Sequence, residues 1–155
     1  MQEYISRNID AQLLTWKENP MRKPLLIRGA RQVGKSSAIR HFGKEFKYFA
    51  EVNFERHKAI KSFFQGDIDV HLIAQKIASY INVPIKEGET LLFFDEIQEC
   101  PDAIMALRFF KEDYPELHVI AAGSLLEFTL QELPTFGVGR IHSLFMYPMT
   151  FDEFL

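Results

Sequence analysis

The stretch Gly29-Ala30-Arg31-Gln32-Val33-Gly34-Lys35-Ser36 reads GARQVGKS and fits the pattern G-x-x-x-x-G-K-[ST]. Ahead of it, Leu25 to Arg28 (LLIR) is a short apolar segment of strand type, and behind it Ser37 to Phe42 can propagate a helix. Strand, glycine-bounded loop and helix, in that order, form the context in which the pattern has a physical meaning. Gly29 and Gly34 permit backbone angles that a Cβ would forbid. The N–H groups from Gly29 through Ala30, Arg31, Gln32, Val33, Gly34, Lys35 and Ser36 to Ser37 can then turn toward phosphate oxygens at a helix N-terminus. Lys35 would reach the β/γ-phosphates as a fixed cation with a catalytic part, and the Ser36 hydroxyl would take one Mg²⁺ position. The plain alternative is a glycine-containing turn with a surface lysine, and the flanking strand and helix weigh against it.

Working outward, the next chemical signal is Thr90 to Phe94, an apolar strand that delivers Asp95 and Glu96 at its end. A strand buried on both faces has no use for solvated charge, so acids at its end face a site along the sheet's carboxyl edge. Asp95 is the expected second Mg²⁺ ligand, and Glu96 the group that orients and deprotonates an attacking water. An apolar run followed by Asp-Glu is only a moderate signal alone; downstream of a phosphate loop it becomes the Walker B pattern.

Strand and helix signals alternate along the rest of the chain. Tyr4 to Lys17 has near-helical apolar spacing at Ile5, Ile9, Leu13 and Trp16. Tyr48 to Phe54 reads as a strand, Ala59 to Phe64 as a short helix, and Gly66-Asp67 as a turn. Val70, Ile73, Ala74, Ile77, Ala78 and Ile81 lie on one face of an amphipathic helix, whose ordinary purpose is packing on a sheet. Pro101 opens a helix to about Tyr114, Leu117 to Ala122 is a strand, Leu125 to Leu133 a helix and Ile141 to Met146 a last strand. Thr150 to Glu153 forms a capping box for one more helix. The expected class is α/β, with a mainly parallel five-stranded sheet.

Composition narrows the remaining possibilities. With 155 residues, 47% of them hydrophobic, the chain is expected to form one domain, and its 15 phenylalanines read as core rather than as a base-stacking surface. No apolar run could cross a bilayer, the N-terminus MQEYISRNID is no signal peptide, and one cysteine, Cys100, fits a reducing compartment. A cytoplasmic location without membrane contact is the expectation. Net charge is −3, yet Lys17, Arg22, Lys23, Arg28, Arg31, Lys35, Arg40, Lys44 and Lys47 face only Glu18 and Glu45 in their segment. That basic segment surrounds the glycine loop, as a polyphosphate site requires; no basic/aromatic stripe recurs elsewhere to indicate nucleic acid. The histidines show no zinc-site spacing.

With these residues in view, the phrases KPLLIRGARQVGKS, LLFFDEIQECP, HVIAAGSLL and GRIHSLFMYPMTFDEFL carry a resemblance to the P-loop ATPase core of the AAA+ superfamily. The chain is more closely similar to a bacterial and archaeal group of predicted AAA-type ATPases, over residues 23–155. The resemblance implies a three-layer P-loop NTPase fold with sheet order 5-1-4-3-2. It also implies that Ser124 holds a catalytic sensor position and that Arg140 is an arginine finger. Their plain readings are a helix N-cap and a turn residue. Members of this group usually continue into a helical lid and a C-terminal domain, so residues 1–155 read as the nucleotide-binding core, with 1–22 as N-terminal helix and linker. The leading function is hydrolysis of ATP to ADP and phosphate with Mg²⁺, with self-association and an unidentified protein partner in the longer protein. The alternative is a nucleotide-dependent switch with little turnover. A GTPase or small-molecule kinase is disfavoured, because no [NT]-K-x-D motif occurs and tandem acids suit water activation.

Overall fold

Alternation along the strands decides which side chain meets which layer. In the computed structural model, which describes residues 8–29, 34–124 and 141–145, β1 (Leu25–Arg28) sends Leu25 and Ile27 to one face of the sheet and Leu26 to the other. β3 (Thr90–Asp95) and β4 (His118–Gly123) are buried along their whole length. Near-continuous apolar runs of this kind occur where a parallel strand is covered on both faces. β2 (Tyr48–Asn53) and β5 (His142–Phe145) complete a five-stranded sheet of order β2-β3-β4-β1-β5. All four neighbouring pairs are parallel. This is the order 5-1-4-3-2 read from the opposite edge, with full rather than main parallelism.

Helices cover both faces, which makes three layers. α1 (Asn8–Glu18) and α2 (Lys35–Phe42) bury Leu13, Trp16, Ile39 and Phe42 against Leu25, Ile27, Phe93 and Ile120. α3 (Val70–Ile81) and α4 (Pro101–Asp113) bury Ile73, Ile77, Leu107 and Phe110 against Leu26, Leu92, Phe94 and Ala121. The α3 stripe of Val70, Ile73, Ala74 and Ile77 lies where helical spacing puts it. Its start is capped by the Asp69 carboxylate, which accepts from Leu72 N at 3.1 Å, and its end by Asn82 in the left-handed region. Pro101 occupies the first turn of α4, where a missing N–H costs nothing. Among the described residues, Phe42, Phe54, Phe64, Phe93, Phe94 and Phe110 are buried in the core, and Phe54 and Phe94 each meet Phe64 at 5.7 Å in edge-to-face contact.

Some expected boundaries shift. α2 begins at Lys35 rather than Ser37, because the left-handed Gly34 turns the chain directly into the helix. The segment 58–64 is a 3₁₀ helix. Residues 4–7 of the expected N-terminal helix, the helix expected over 125–133, Met146 and the capping box at Thr150 lie outside the described residues. Among the described residues, no helix is long and apolar enough to cross a membrane.

At the amino end of β4, His118 is buried between Trp16 (5.5 Å, 82°) and Phe46 (5.1 Å, 69°). Its Nε2 lies 3.2 Å from Lys17 O, and its Nδ1 lies 3.3 Å from Arg22 Nη2. A carbonyl can only accept and a guanidinium can only donate, so the ring is neutral with its proton on Nε2. Burial, helped by the Arg22 and Lys17 cations and opposed by the Lys17 carbonyl, holds the imidazole at about 4.

Candidate functional site

Parallel strands in this order bring the carboxyl ends of β1, β3 and β4 to one edge. Arg28 lies opposite Gly123, Ile27 opposite Ala122, and Phe94 opposite Ala121. The residues next in sequence, Gly29, Asp95, Glu96 and Ser124, therefore share that edge although long stretches of chain separate them. Ligand sites in open α/β sheets lie there, where the connections part to opposite sides.

Gly34 has φ 85° and ψ 21°. A residue with a Cβ would lose about 1–2 kcal/mol in this left-handed conformation, which is the physical need for glycine at this point of the motif. The turn starts α2 with Lys35 and Ser36 in its first positions. Lys35 is only 9% exposed, and its Nζ donates to Gly29 O at 2.9 Å, across the mouth of the loop. An ammonium this buried needs oxygen partners. Ala30, Arg31, Gln32 and Val33, the interior of the loop, lie outside the described residues, as does Arg140. Ser37 follows on the exposed side of α2.

The Ser36 hydroxyl donates to Asp95 Oδ2 at 2.8 Å, and Asp95 Oδ1 accepts from Glu96 N at 2.9 Å. Asp95 is 4% exposed. Burial raises its pKa, while the bonds from Ser36 and Glu96 N work in the opposite direction. Arg40, one turn along α2 from Ser36, grips Glu51 of β2 with two bonds of 2.9 and 2.8 Å and reaches within 3.8 Å of Asp95 Oδ2. The Ser36 hydroxyl and the Arg40 guanidinium thus both face Asp95 Oδ2.

Glu96 sits at φ 54° and ψ 44°, left-handed without being a glycine. Such backbone costs on the order of 1–3 kcal/mol and persists only where surrounding structure holds it. Its Oε2 accepts from Gln98 Nε2 at 2.6 Å, while Gln98 Oε1 accepts from Ser124 N at 3.3 Å. Ser124 is 3% exposed, and its Oγ has no hydrogen-bond partner among the described residues. A buried hydroxyl without a partner is uncommon and marks a place where another polar atom can bind.

Six of the residues singled out in the sequence, Gly29, Gly34, Lys35, Ser36, Asp95 and Glu96, are thus gathered at one edge with Ser124. Arg40, Glu51 and Gln98 were not singled out. Arg40 follows Ser36 by one helical turn, a spacing that could have drawn attention to it; Glu51 and Gln98 carry no local signal. A cavity of about 530 Å³, lined by Trp16, Met21, Arg22 and His142 among others, lies elsewhere. His142 pairs with Leu25 at the amino end of β1, opposite the edge described above.

Comparison with curated proteins gives no match. A family model described as an AAA domain matches residues 21–155, taking in all five strands and every residue of the edge just described. A match over that much of the chain, on a parallel sheet of this order, shows that the protein belongs to the AAA domain family, a family of ATPase type.

Proposed function

We propose that the chain binds ATP with Mg²⁺ at the carboxyl edge of the sheet and hydrolyses it to ADP and phosphate. The observation that carries this reading is the 2.8 Å bond from Ser36 Oγ to Asp95 Oδ2. It joins the end of the glycine loop to the end of the acidic strand, the two halves that a nucleotide with its cation must bridge. The donor set suits Mg²⁺: a hydroxyl and a carboxylate, both hard oxygen donors, on neighbouring elements. Among the described residues, no group of three or more His, Cys, Asp or Glu could hold a metal. Mg²⁺ commonly takes one or two protein oxygens and fills its shell with water and substrate phosphates, so this sparse set agrees with it.

In this reading the loop N–H groups from Gly29 to Ser37 and the Lys35 ammonium hold the phosphates, and Ser36 and Asp95 hold the cation. Bound there, Mg²⁺ supplies charge neutralisation at the phosphate oxygens. Glu96 takes a proton from a water whose oxygen bonds to the terminal phosphorus, while the bond from that phosphorus to the β-phosphate bridging oxygen breaks. The unpartnered Ser124 Oγ is the candidate for holding that water or a phosphate oxygen. Arg140 is the candidate for contact with nucleotide on a neighbouring copy.

Glu96→Gln tests the reading. An amide cannot take the proton, so Mg-ATP affinity should be kept while turnover falls by a factor on the order of 10² or more. A variant that hydrolyses ATP at the wild-type rate removes Glu96 from the chemistry. A wild-type chain that binds Mg-ATP without turnover favours a nucleotide-dependent switch.

A further inference from the structure

Gln98 lies on a single 3₁₀ turn, Ile97–Glu99, that is pinned at both ends. Ile97 is fully buried in the core, Glu99 N donates to Glu96 O at 3.1 Å, and Cys100 N donates to Ile97 O at 2.9 Å. The side chain reaches in two directions from this rigid base, to the Glu96 carboxylate and to the backbone at the end of β4. Its orientation is not interchangeable. A carboxylate only accepts and a backbone N–H only donates, so the amide nitrogen must face Glu96 and the amide oxygen must face Ser124. The bond to Glu96 is short and has a charged acceptor, the stronger class of hydrogen bond. Glu96 itself stands on left-handed backbone.

We propose that Gln98 is the positioning residue of this site: it aims the Glu96 carboxylate and ties it to the β4 end that carries Ser124. The role rests on the hydrolytic reading above, since it acts through Glu96. It gives the site a physical link between the two groups that would face an attacking water. Moving the end of β4 moves the amide, and with it the carboxylate.

Two substitutions separate this role from mere support of β4. Gln98→Glu keeps an oxygen for Ser124 N–H but turns a second carboxylate toward Glu96, whereas Gln98→Ala removes both bonds. Both variants should lower kcat about tenfold or more while KM and Mg-ATP affinity stay within about twofold, the pattern of lost transition-state stabilisation with substrate binding kept. Without nucleotide, both should shift the ¹³C resonance of the Glu96 carboxyl, and only Gln98→Ala should speed hydrogen exchange at Ser124 N–H. Wild-type kcat in Gln98→Glu would overturn the positioning role. A Glu96 resonance unmoved by both variants would remove the contact itself and leave the hydrolytic reading standing. A wild-type chain that binds Mg-ATP without any turnover would instead sink the hydrolytic reading, and this role with it. Gln98→Glu is nearly isosteric, so the result does not depend on Gln98→Ala folding well.

Discussion

Acid should weaken this fold through one buried ring. His118 binds a proton at about 4 in the folded chain against an ordinary 6.5, so the unfolded chain takes up the proton first as pH falls. The stability owed to the neutral ring is therefore fully present above 6.5 and is lost as pH descends toward 4. The difference corresponds to about 3 kcal/mol in total, of which about 2 kcal/mol is gone by about pH 5. Relief is not available locally, because protonation would put a cation against the Arg22 guanidinium, 3.3 Å from Nδ1. His118→Gln keeps an amide donor for Lys17 O without titrating. Urea denaturation of both proteins from about pH 7.5 to about pH 5 isolates the effect, since all other groups cancel in the difference. The wild type should lose about 2 kcal/mol relative to the variant over that range. A stability difference independent of pH would refute the assignment of a neutral, doubly bonded ring.

Gly43→Ala should destabilise the protein by about 1–3 kcal/mol, read from the denaturation midpoint, because overpacking forces neighbours to move. The backbone there, at φ −57°, suits alanine. A Cβ, however, would lie 2.6 Å from Phe49 Cδ1, on a ring held in stacked contact with Phe93. An unchanged midpoint would show that the ring yields freely. For Arg140, a finger acting on a neighbouring copy is worth on the order of 10³ in rate. Turnover per chain should therefore rise with protein concentration and fall in Arg140→Ala with affinity kept. Turnover that ignores both would make Arg140 a turn residue.

Period and punctuation made most elements readable. LLIR and TLLFFD are strands because apolar runs this short, bounded by turns, can be buried on both faces, and 70–81 is a helix because its apolar residues recur at helical spacing. The residues between Lys58 and Phe64 were harder. Ile60, Phe63 and Phe64 fit α and 3₁₀ spacing alike, so their pattern does not choose between the two forms, and the segment is 3₁₀. The candidate site was legible where a motif records backbone geometry, as at Gly34, or where charge ends an apolar strand, as at Asp95. Gln98 and Glu51 were not legible. Glu51 is gripped by Arg40 from α2, and Gln98 reaches from its 3₁₀ turn to Ser124 at the end of β4, so both depend on how elements distant in sequence pack, which leaves no trace in local spacing. Gly43 is similar: its need to be small comes from the ring of Phe49, which local spacing does not place against it.

The proposed site is a phosphate-binding loop completed by Lys35 beside an Mg²⁺ position at Ser36 and Asp95. Calorimetric titration of Mg-ATP into the wild type, Lys35→Ala and Asp95→Asn tests it most directly. Wild-type binding should be strong and Mg²⁺-dependent. Lys35→Ala should weaken it by about tenfold or more, since the fixed cation facing the phosphates is lost. Asp95→Asn should retain binding but lose most of its Mg²⁺ dependence. Equal affinity and equal Mg²⁺ dependence in all three proteins would contradict the account.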